Sequence, residues 1–120
     1  MAYDRFVWFK KGTSPTWGEI EAVTRQFFGG AAKVEVAKGG DRFVVVLVGK
    51  WSHPFAHVLP VHPGELEMGR PPFDDRVIEV VPGDDNVDVI TRLADQYTHA
   101  AAAGLAKAFV IGWRGRLEDP

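Results

Sequence analysis

The C-terminal third of the chain holds the stretch that decides the fold: residues 87–113 read VDVITRLADQYTHAAAAGLAKAFVIGW. The turn signal PGDDN at residues 82–86 precedes it, and residues 87–91 favour a short β-strand. The alanine-rich remainder favours a helix from roughly residue 92 to residue 113. A helix of about 22 residues is about 33 Å long at 1.5 Å per residue, which is enough to cross a small sheet from edge to edge. We therefore predict a sheet that this helix covers.

Two rows of side chains recur every four residues along this helix. One row is mostly large and apolar, and it predicts a face that packs on the sheet. The other row is small, and it favours a close contact with a strand, with a second helix or with a second copy of the chain. The charged residues Arg92, Asp95 and Lys107 argue against a membrane span. The large row is Leu93, Tyr97, Ala101, Leu105, Phe109 and Trp113, and the small row is Ala100, Gly104, Ala108 and Gly112.

Alternating and apolar runs upstream predict four more strands and a second helix. The helix has two competing starts, because Ser14 precedes a proline and Thr16 opens a Thr-x-x-Glu capping box. The glycine pair at residues 29–30 ends it. This order predicts one α+β domain over residues 1–120, with a mainly antiparallel sheet of about five strands and two helices packed on one face. The upstream strands are residues 3–10, 32–37, 43–48 and 76–81, and the helix lies between the first two.

The composition is that of an ordinary globular domain. Of 120 residues, 46% are hydrophobic and 25% are charged, and the formal net charge is −2. Because the chain has neither an overall basic charge nor a basic stripe, we expect no nucleic-acid partner. The absence of cysteine excludes disulfides, thiolate metal ligands and a cysteine nucleophile, and it suits a reducing cytoplasm. The first residues show no signal-peptide pattern, so we expect a cytoplasmic location and no membrane partner.

Residues 51–73 differ from the rest of the chain because five prolines interrupt them. Proline fixes φ and removes a backbone donor, which excludes a long helix or a central strand and leaves open a short edge strand near residues 56–59. A long irregular segment in a small domain is typically a functional or covering loop. It begins with Trp51, and an exposed aromatic side chain there would anchor a binding partner.

Charge is distributed unevenly along the chain. Residues 51–87 hold seven acidic and two basic residues, whereas residues 1–50 hold eight basic and five acidic residues. The acidic excess in the middle predicts a patch for a basic partner. A solvated acidic loop is the alternative explanation.

The strongest candidate for chemistry is a cluster of histidines in the proline-rich loop: His53, His57 and His62, close to Glu65 and Glu67. Imidazoles and carboxylates suit zinc or another divalent ion, and they suit general acid–base catalysis. The spacing matches no known device, because no His-Glu-x-x-His motif is present and the prolines prevent a shared helical face. The commoner explanation is a loop whose histidines bond to backbone or face water, so we predict no metal and no cofactor.

Other catalytic and ligand-binding motifs are absent from the sequence. No Gly-x-Ser-x-Gly elbow is present, and neither glycine pair, at residues 29–30 or 39–40, lies in a phosphate-binding pattern. Residues 84–95 begin like a calcium loop, but they have Val89 where the loop requires glycine and Asp95 where it requires glutamate. A turn followed by a strand is the better interpretation.

These observations predict a small non-enzymatic protein-binding module, such as an immunity-type or other inhibitor protein. Two alternatives stay open. One is a small metal-dependent or acid–base enzyme centred on His53, His57 and His62, and the other is a homo-oligomer joined through the small row of the C-terminal helix. No catalytic residue is predicted, and the predicted binding residues, all in the loop of residues 51–73, are Trp51, His53, Phe55, His57, Glu65 and Glu67.

Overall fold

The computed structural model describes residues 2–47, 76–92 and 96–118. Over these ranges the chain forms six strands and two α-helices, with a short 3-10 turn at Gly29–Ala31. All strand pairs are antiparallel, and the strand order is β2-β3-β4-β5-β1-β6. The elements are β1 (Ala2–Trp8), α1 (Trp17–Phe28), β2 (Ala32–Val36), β3 (Phe43–Leu47), β4 (Val77–Pro82), β5 (Asn86–Arg92), α2 (Gln96–Trp113) and β6 (Arg116–Glu118).

The predicted fold class is confirmed: the chain is an α+β protein with an antiparallel sheet and two helices. The sequence prediction of about five strands missed β6, a three-residue strand that pairs with β1. It also placed the start of the C-terminal helix too early, because Arg92 is the last residue of β5. The predicted end of that helix at Trp113 agrees with the structure.

Helix α1 begins at the second of the two predicted starts. Thr16 is its N-cap: the Glu19 backbone N–H donates to Thr16 Oγ1 at 3.2 Å, and the Thr16 backbone N–H donates to Glu19 Oε1 at 2.9 Å. This reciprocal pair satisfies two backbone donors that a helix start otherwise leaves unpaired. Gly29 ends the helix with φ of 55°, a left-handed value that glycine adopts at low cost.

Both helices lie on one face of the sheet, which we call the inner face. The core lies between them and the sheet, and α1 and α2 also contact each other. In α2, three members of the predicted large row, Ala101, Leu105 and Phe109, are fully buried in it. Leu93 and the side chain of Tyr97 are outside the described residues. The strands supply alternate residues to the same core: Val7, Val34, Phe43, Val45, Leu47, Ile78, Val80, Val87 and Val89.

The small row of α2 has no uniform environment. Gly104 is buried, Ala100 and Ala108 are half-buried, and Gly112 is exposed. Part of the row therefore packs inside the chain, and its role in joining two copies stays a prediction. Neither helix in the described ranges is long and apolar enough to cross a membrane.

The opposite side of the sheet, which we call the outer face, carries the other set of alternating side chains. The register places Phe6 opposite Asp88, and Asp4 opposite Ile90, on the central pair of strands β1 and β5. Glu79 of β4 stands on the other side of Ile90. Neither described helix packs on this face.

Candidate functional site on the outer face

The predicted binding residues lie outside the part of the chain that the structure describes. This applies to the whole loop of residues 51–73 and to the site residues Trp51, His53, Phe55, His57, Glu65 and Glu67, together with His62 of the predicted enzyme site. Their roles stay predictions. The described residues bring a different group of side chains together, on the outer face of the sheet.

Two carboxyl groups meet at the centre of this group. Asp4 of β1 and Asp88 of β5 are diagonal neighbours across an antiparallel pair, a spacing that allows side-chain contact. Their side chains are close enough to interact electrostatically. Asp88 is 9% exposed, and its Oδ1 atom is buried without a hydrogen-bond partner. Asp4 is half-buried and therefore accessible from solvent.

The environment of Asp88 favours its neutral form. Burial raises the pKa of Asp88 to about 7, and the neighbouring carboxyl group of Asp4 acts in the same direction. A backbone hydrogen bond from Arg5 opposes the shift, and the charge of Glu79 adds to it. Because a carboxylate that leaves water loses its solvation, and a second carboxylate nearby repels it, the pair holds a proton up to neutral pH.

Aromatic side chains border the carboxyl pair. The rings of Phe6 and Trp8 are stacked with centroids 6.0 Å apart. Trp8 is 37% exposed, and Phe6 is half-buried. Trp8 lies diagonal to Asp88 across the β1–β5 pair and four residues from Asp4 along β1, so it adds a large apolar contact area near the carboxyl pair.

Glu79 is a third outer-face carboxylate, but its charge is already compensated. Arg42 Nη1 donates to Glu79 Oε1 at 2.9 Å, and Arg92 Nε donates to Glu79 Oε2 at 2.6 Å. Partial burial alone would raise the pKa of Glu79, but these hydrogen bonds and charges hold it below its ordinary value. Of the carboxyl groups that the described strands β1, β4 and β5 carry on this face, Asp4 and Asp88 are therefore the two without an ion pair.

A second polar cluster lies on the inner face, at the end of the sheet where α2 begins. Arg5 Nη1 donates to Thr91 Oγ1 at 3.2 Å, and Arg5 Nη2 donates to His99 Nδ1 at 3.1 Å. Thr91 Oγ1 is also 3.0 Å from His99 Nδ1. Because a guanidinium only donates, His99 Nδ1 accepts the hydrogen bond from Arg5. Tyr3 closes the cluster, with Arg5 Cζ 4.3 Å from its ring centroid.

This inner cluster ties β1, β5 and α2 together. Arg5 is 5% exposed and Thr91 is fully buried, so the hydrogen bonds compensate the cost of removing these groups from water. Its position among three packed elements is typical of a structural polar network. The outer-face pair, which has an accessible partner carboxyl and an exposed tryptophan, is the better candidate for contact with another molecule.

Among the described residues no three histidine, aspartate or glutamate side chains are grouped to hold a metal ion. The predicted turn at residues 82–86 is present between β4 and β5, and Asp88 follows it inside a strand rather than in a calcium loop. Comparison with known protein families, curated proteins and solved structures gives no match to this chain.

Sequence reasoning missed Asp4 and Asp88 because their importance depends on strand register. Each is one acidic residue in an otherwise ordinary strand, 84 positions apart in the chain. One signal was present: aspartate is disfavoured inside strands, so two of them at central positions indicate a special environment. Their pairing on one face still requires the register of β1 against β5.

Proposed function

We propose that this protein is a non-enzymatic protein-binding module, of the immunity or inhibitor type, that recognises a basic partner through the outer face of its sheet. The observation that carries the proposal is the Asp4–Asp88 pair beside the stacked rings of Phe6 and Trp8. Tryptophan anchors with a neighbouring charge are typical of residues that dominate binding energy at protein interfaces.

The chemistry of the carboxyl pair selects a cation as the occupant. A lysine or arginine side chain of the partner would contact the accessible Asp4. The ring of Trp8, about 13 Å further along β1 at 3.3 Å per residue, would anchor a second side chain of the partner. The positive charge would also stabilise the ionised form of Asp88, so the proton of Asp88 would leave on binding. The acidic excess of residues 51–87 would add a field of the same sign.

The proline-rich loop remains part of the proposal as a second contact segment. Its predicted anchors are Trp51 and the carboxylates Glu65 and Glu67. Prolines reduce the entropy that a loop loses when it binds. The basic partner and the immunity-type role are both parts of this proposal.

The first experiment uses affinity capture with matched tryptophan variants. Trp8 and Trp17 are 37% and 38% exposed, but Trp8 belongs to the outer face and Trp17 lies against Phe43 on the inner side. We expect Trp8→Ala and Asp4→Asn to lose a partner that the wild type and Trp17→Ala retain. A third arm, Trp51→Ala with Glu65→Gln and Glu67→Gln, tests the loop.

The second experiment titrates the captured partner, once purified, at pH 6 and pH 8. Because binding releases the proton of Asp88, affinity should rise with pH across this interval, and Asp88→Asn should abolish the dependence. If Trp8→Ala and Asp4→Asn both retain the partner and only the loop variant loses it, the interface lies in the loop and not on the outer face. A partner that all variants retain would remove both surfaces from the proposal.

Acid–base catalysis is the second candidate function, and one observation favours it: Asp88 has a pKa of about 7, the value that suits proton transfer at neutral pH. The enzyme that the sequence predicts is centred on His53, His57 and His62, and these residues lie outside the described ranges. Metal analysis of the purified protein, with His57→Ala beside it, tests this prediction. Absence of bound metal and of any zinc effect on stability would set it aside.

A further inference from the structure

A surface pocket of about 360 Å³ lies at the opposite end of α2 from the inner polar cluster. It opens between the end of the helix and the segment that joins β1 to α1, and its lining residues are Lys10, Thr13, Gly112, Trp113 and Arg114. The volume is within the range of small-molecule sites. None of these residues belongs to the outer face proposed above as a protein interface.

Two cations line this pocket without compensation. In the described ranges the side chains of Lys10 and Arg114 have no carboxylate within ion-pair distance and no hydrogen bond. The carbonyl end of α2 contributes a partial negative charge of about half a unit, which two full positive charges exceed. The acidic turn residues Asp84 and Asp85 bond to the β1–α1 segment through their backbone carbonyls and do not line the pocket.

The wall opposite the helix is held in a fixed turn. Both the backbone N–H and the hydroxyl of Thr13 donate to the carbonyl of Lys10, at 2.9 Å and 2.7 Å. Gly12 between them has φ of 82°, a left-handed value that suits glycine. Such a preformed wall lowers the entropy lost when a ligand is bound.

Trp113 supplies an apolar surface to the pocket. It is half-buried, and its ring lies 6.0 Å from that of Phe109, which belongs to the core. The core contact fixes the indole, and its remaining surface faces the pocket. An indole face stacks on planar rings.

Arg114 occupies a backbone position that normally takes glycine. Its φ is 52°, and the Gly115 N–H donates to the Val110 carbonyl at 3.0 Å, the 6→1 bond of a Schellman helix end. Glycine is instead required one residue later, because a Cβ on Gly115 would lie 2.7 Å from Val7 Cγ1. Glycine at 114 would relieve the left-handed strain, and non-glycine residues held in this conformation cluster at functional sites.

We propose that this pocket binds a small molecule that carries an anionic head group on a planar ring. Arg114 and Lys10 hold the head group, and Trp113 stacks on the ring. A guanidinium can give two parallel hydrogen bonds to a phosphate or carboxylate, so both head groups belong to the same ligand chemistry.

The test is an NMR titration of the full chain with phenyl phosphate and with benzoate, and inorganic phosphate and benzyl alcohol serve as probes of the head group and the ring alone. We expect saturable shifts of the Trp113 indole N–H and of the Gly112 and Gly115 amides. At least one of the two ring anions should bind about tenfold more tightly than either partial probe. The anion that binds more tightly identifies the head group.

Three variants separate binding from folding. Arg114→Gly should weaken binding about tenfold and at the same time raise the midpoint of thermal unfolding, because it removes the cation and the strain together. Lys10→Gln should weaken binding without that gain. Arg116→Gln, an exposed cation of β6 that does not line the pocket, is the control and should bind like the wild type.

Four results would overturn the proposal. They are the absence of saturable shifts at millimolar ligand, unchanged affinity in Arg114→Gly, an equal loss in Arg116→Gln, and inorganic phosphate that binds as tightly as the ring anions. An equal loss in Arg116→Gln would mean that the anions bind by general electrostatic attraction. Equally tight binding of inorganic phosphate would mean that Trp113 does not contribute to the site.

Discussion

The two faces of the sheet differ in what fills them. On the inner face, Phe43, Val45, Ile78 and Val80 are fully buried against two helices. On the outer face, ordinary amphipathic strands would alternate to polar, solvated residues. Here the outer face has the Asp4–Asp88 pair at its centre, with aromatic and aliphatic neighbours. The inner face therefore specifies the fold, and the outer face carries groups that the fold does not need.

The inner face also contains polar groups, but they are arranged differently. Arg5, Thr91 and His99 satisfy one another by direct hydrogen bonds. The outer-face Asp88 keeps a buried oxygen without a partner. A satisfied network stabilises packing, whereas an unsatisfied carboxyl costs stability, and natural proteins retain such costs mainly at functional sites.

The largest expected difference between the faces is in the unfolding free energy that is lost when an aromatic side chain is truncated to alanine. Phe109→Ala removes a fully buried ring between α2 and the sheet, and it should lower the free energy of unfolding by about 3–5 kcal/mol. Phe6→Ala removes a half-buried outer-face ring and should cost less than about half as much. Urea denaturation of both variants, with comparison of midpoints and slopes, measures the difference.

Equal losses in these two variants would break the comparison, because they would make the outer face a second core. The slope of the urea transition supplies the control. An unchanged slope shows that the truncation altered stability rather than the surface exposed on unfolding.

A second, smaller effect concerns the pH dependence of stability. Between pH 4 and pH 7 the folded chain keeps the proton of Asp88, whose pKa is raised to about 7, while the unfolded chain releases it. The free energy of unfolding should therefore fall as pH rises through this interval and level off above pH 7. Asp88→Asn mimics the protonated form and should remove the decline, with a gain of roughly 2–4 kcal/mol above pH 7 and almost none near pH 3.5.

Urea titrations from pH 3.5 to pH 8 measure this profile. Asp41→Asn is the control, because a hydrogen bond from Arg42 lowers the pKa of the exposed Asp41 and its removal should give no gain above pH 7. A profile of Asp88→Asn that runs parallel to the wild type would mean that Asp88 ionises normally in the folded protein.

The inner face could be predicted from the sequence, whereas the outer face could not. A four-residue period identified Leu105 and Phe109 as core, and the capping box at Thr16, one of two predicted starts of α1, is the start that the structure has. These are local patterns, which one segment contains in full. The three-residue strand β6 was missed because it is too short to show a period.

The carboxyl pair could not be predicted from any single segment of the sequence. Asp4 and Asp88 share a face only because β1 pairs with β5 in one register, and a shift by one residue would place them on opposite faces. The pocket near Arg114 was missed for a similar reason. Its glycine-like backbone at a non-glycine residue follows from the contact of Gly115 with β1, which is a tertiary constraint.

The smallest predicted effect on stability concerns the charged groups of the outer face. Glu79→Gln removes a carboxylate that binds Arg42 and Arg92, both partly exposed, and it should cost no more than about 1 kcal/mol of unfolding free energy. The effect of Glu79→Gln on the pKa of Asp88 should be clearer than its effect on stability. The substitution removes one negative neighbour and leaves Arg92 without its ion pair, so the pKa of Asp88 should fall below 7.

Carboxyl NMR titration of Asp88 in the two proteins measures this shift. The relevant charges are Asp4 on β1, Glu79 on β4, Arg42 before β3, Arg92 on β5 and Glu118 on β6. Glu35→Gln, on the exposed edge strand β2, is the matched control and should leave the Asp88 titration unchanged. An Asp88 pKa that stays near 7 in Glu79→Gln would mean that burial and Asp4 alone set it, and that the ion pairs around Glu79 are electrostatically separate from the proposed interface.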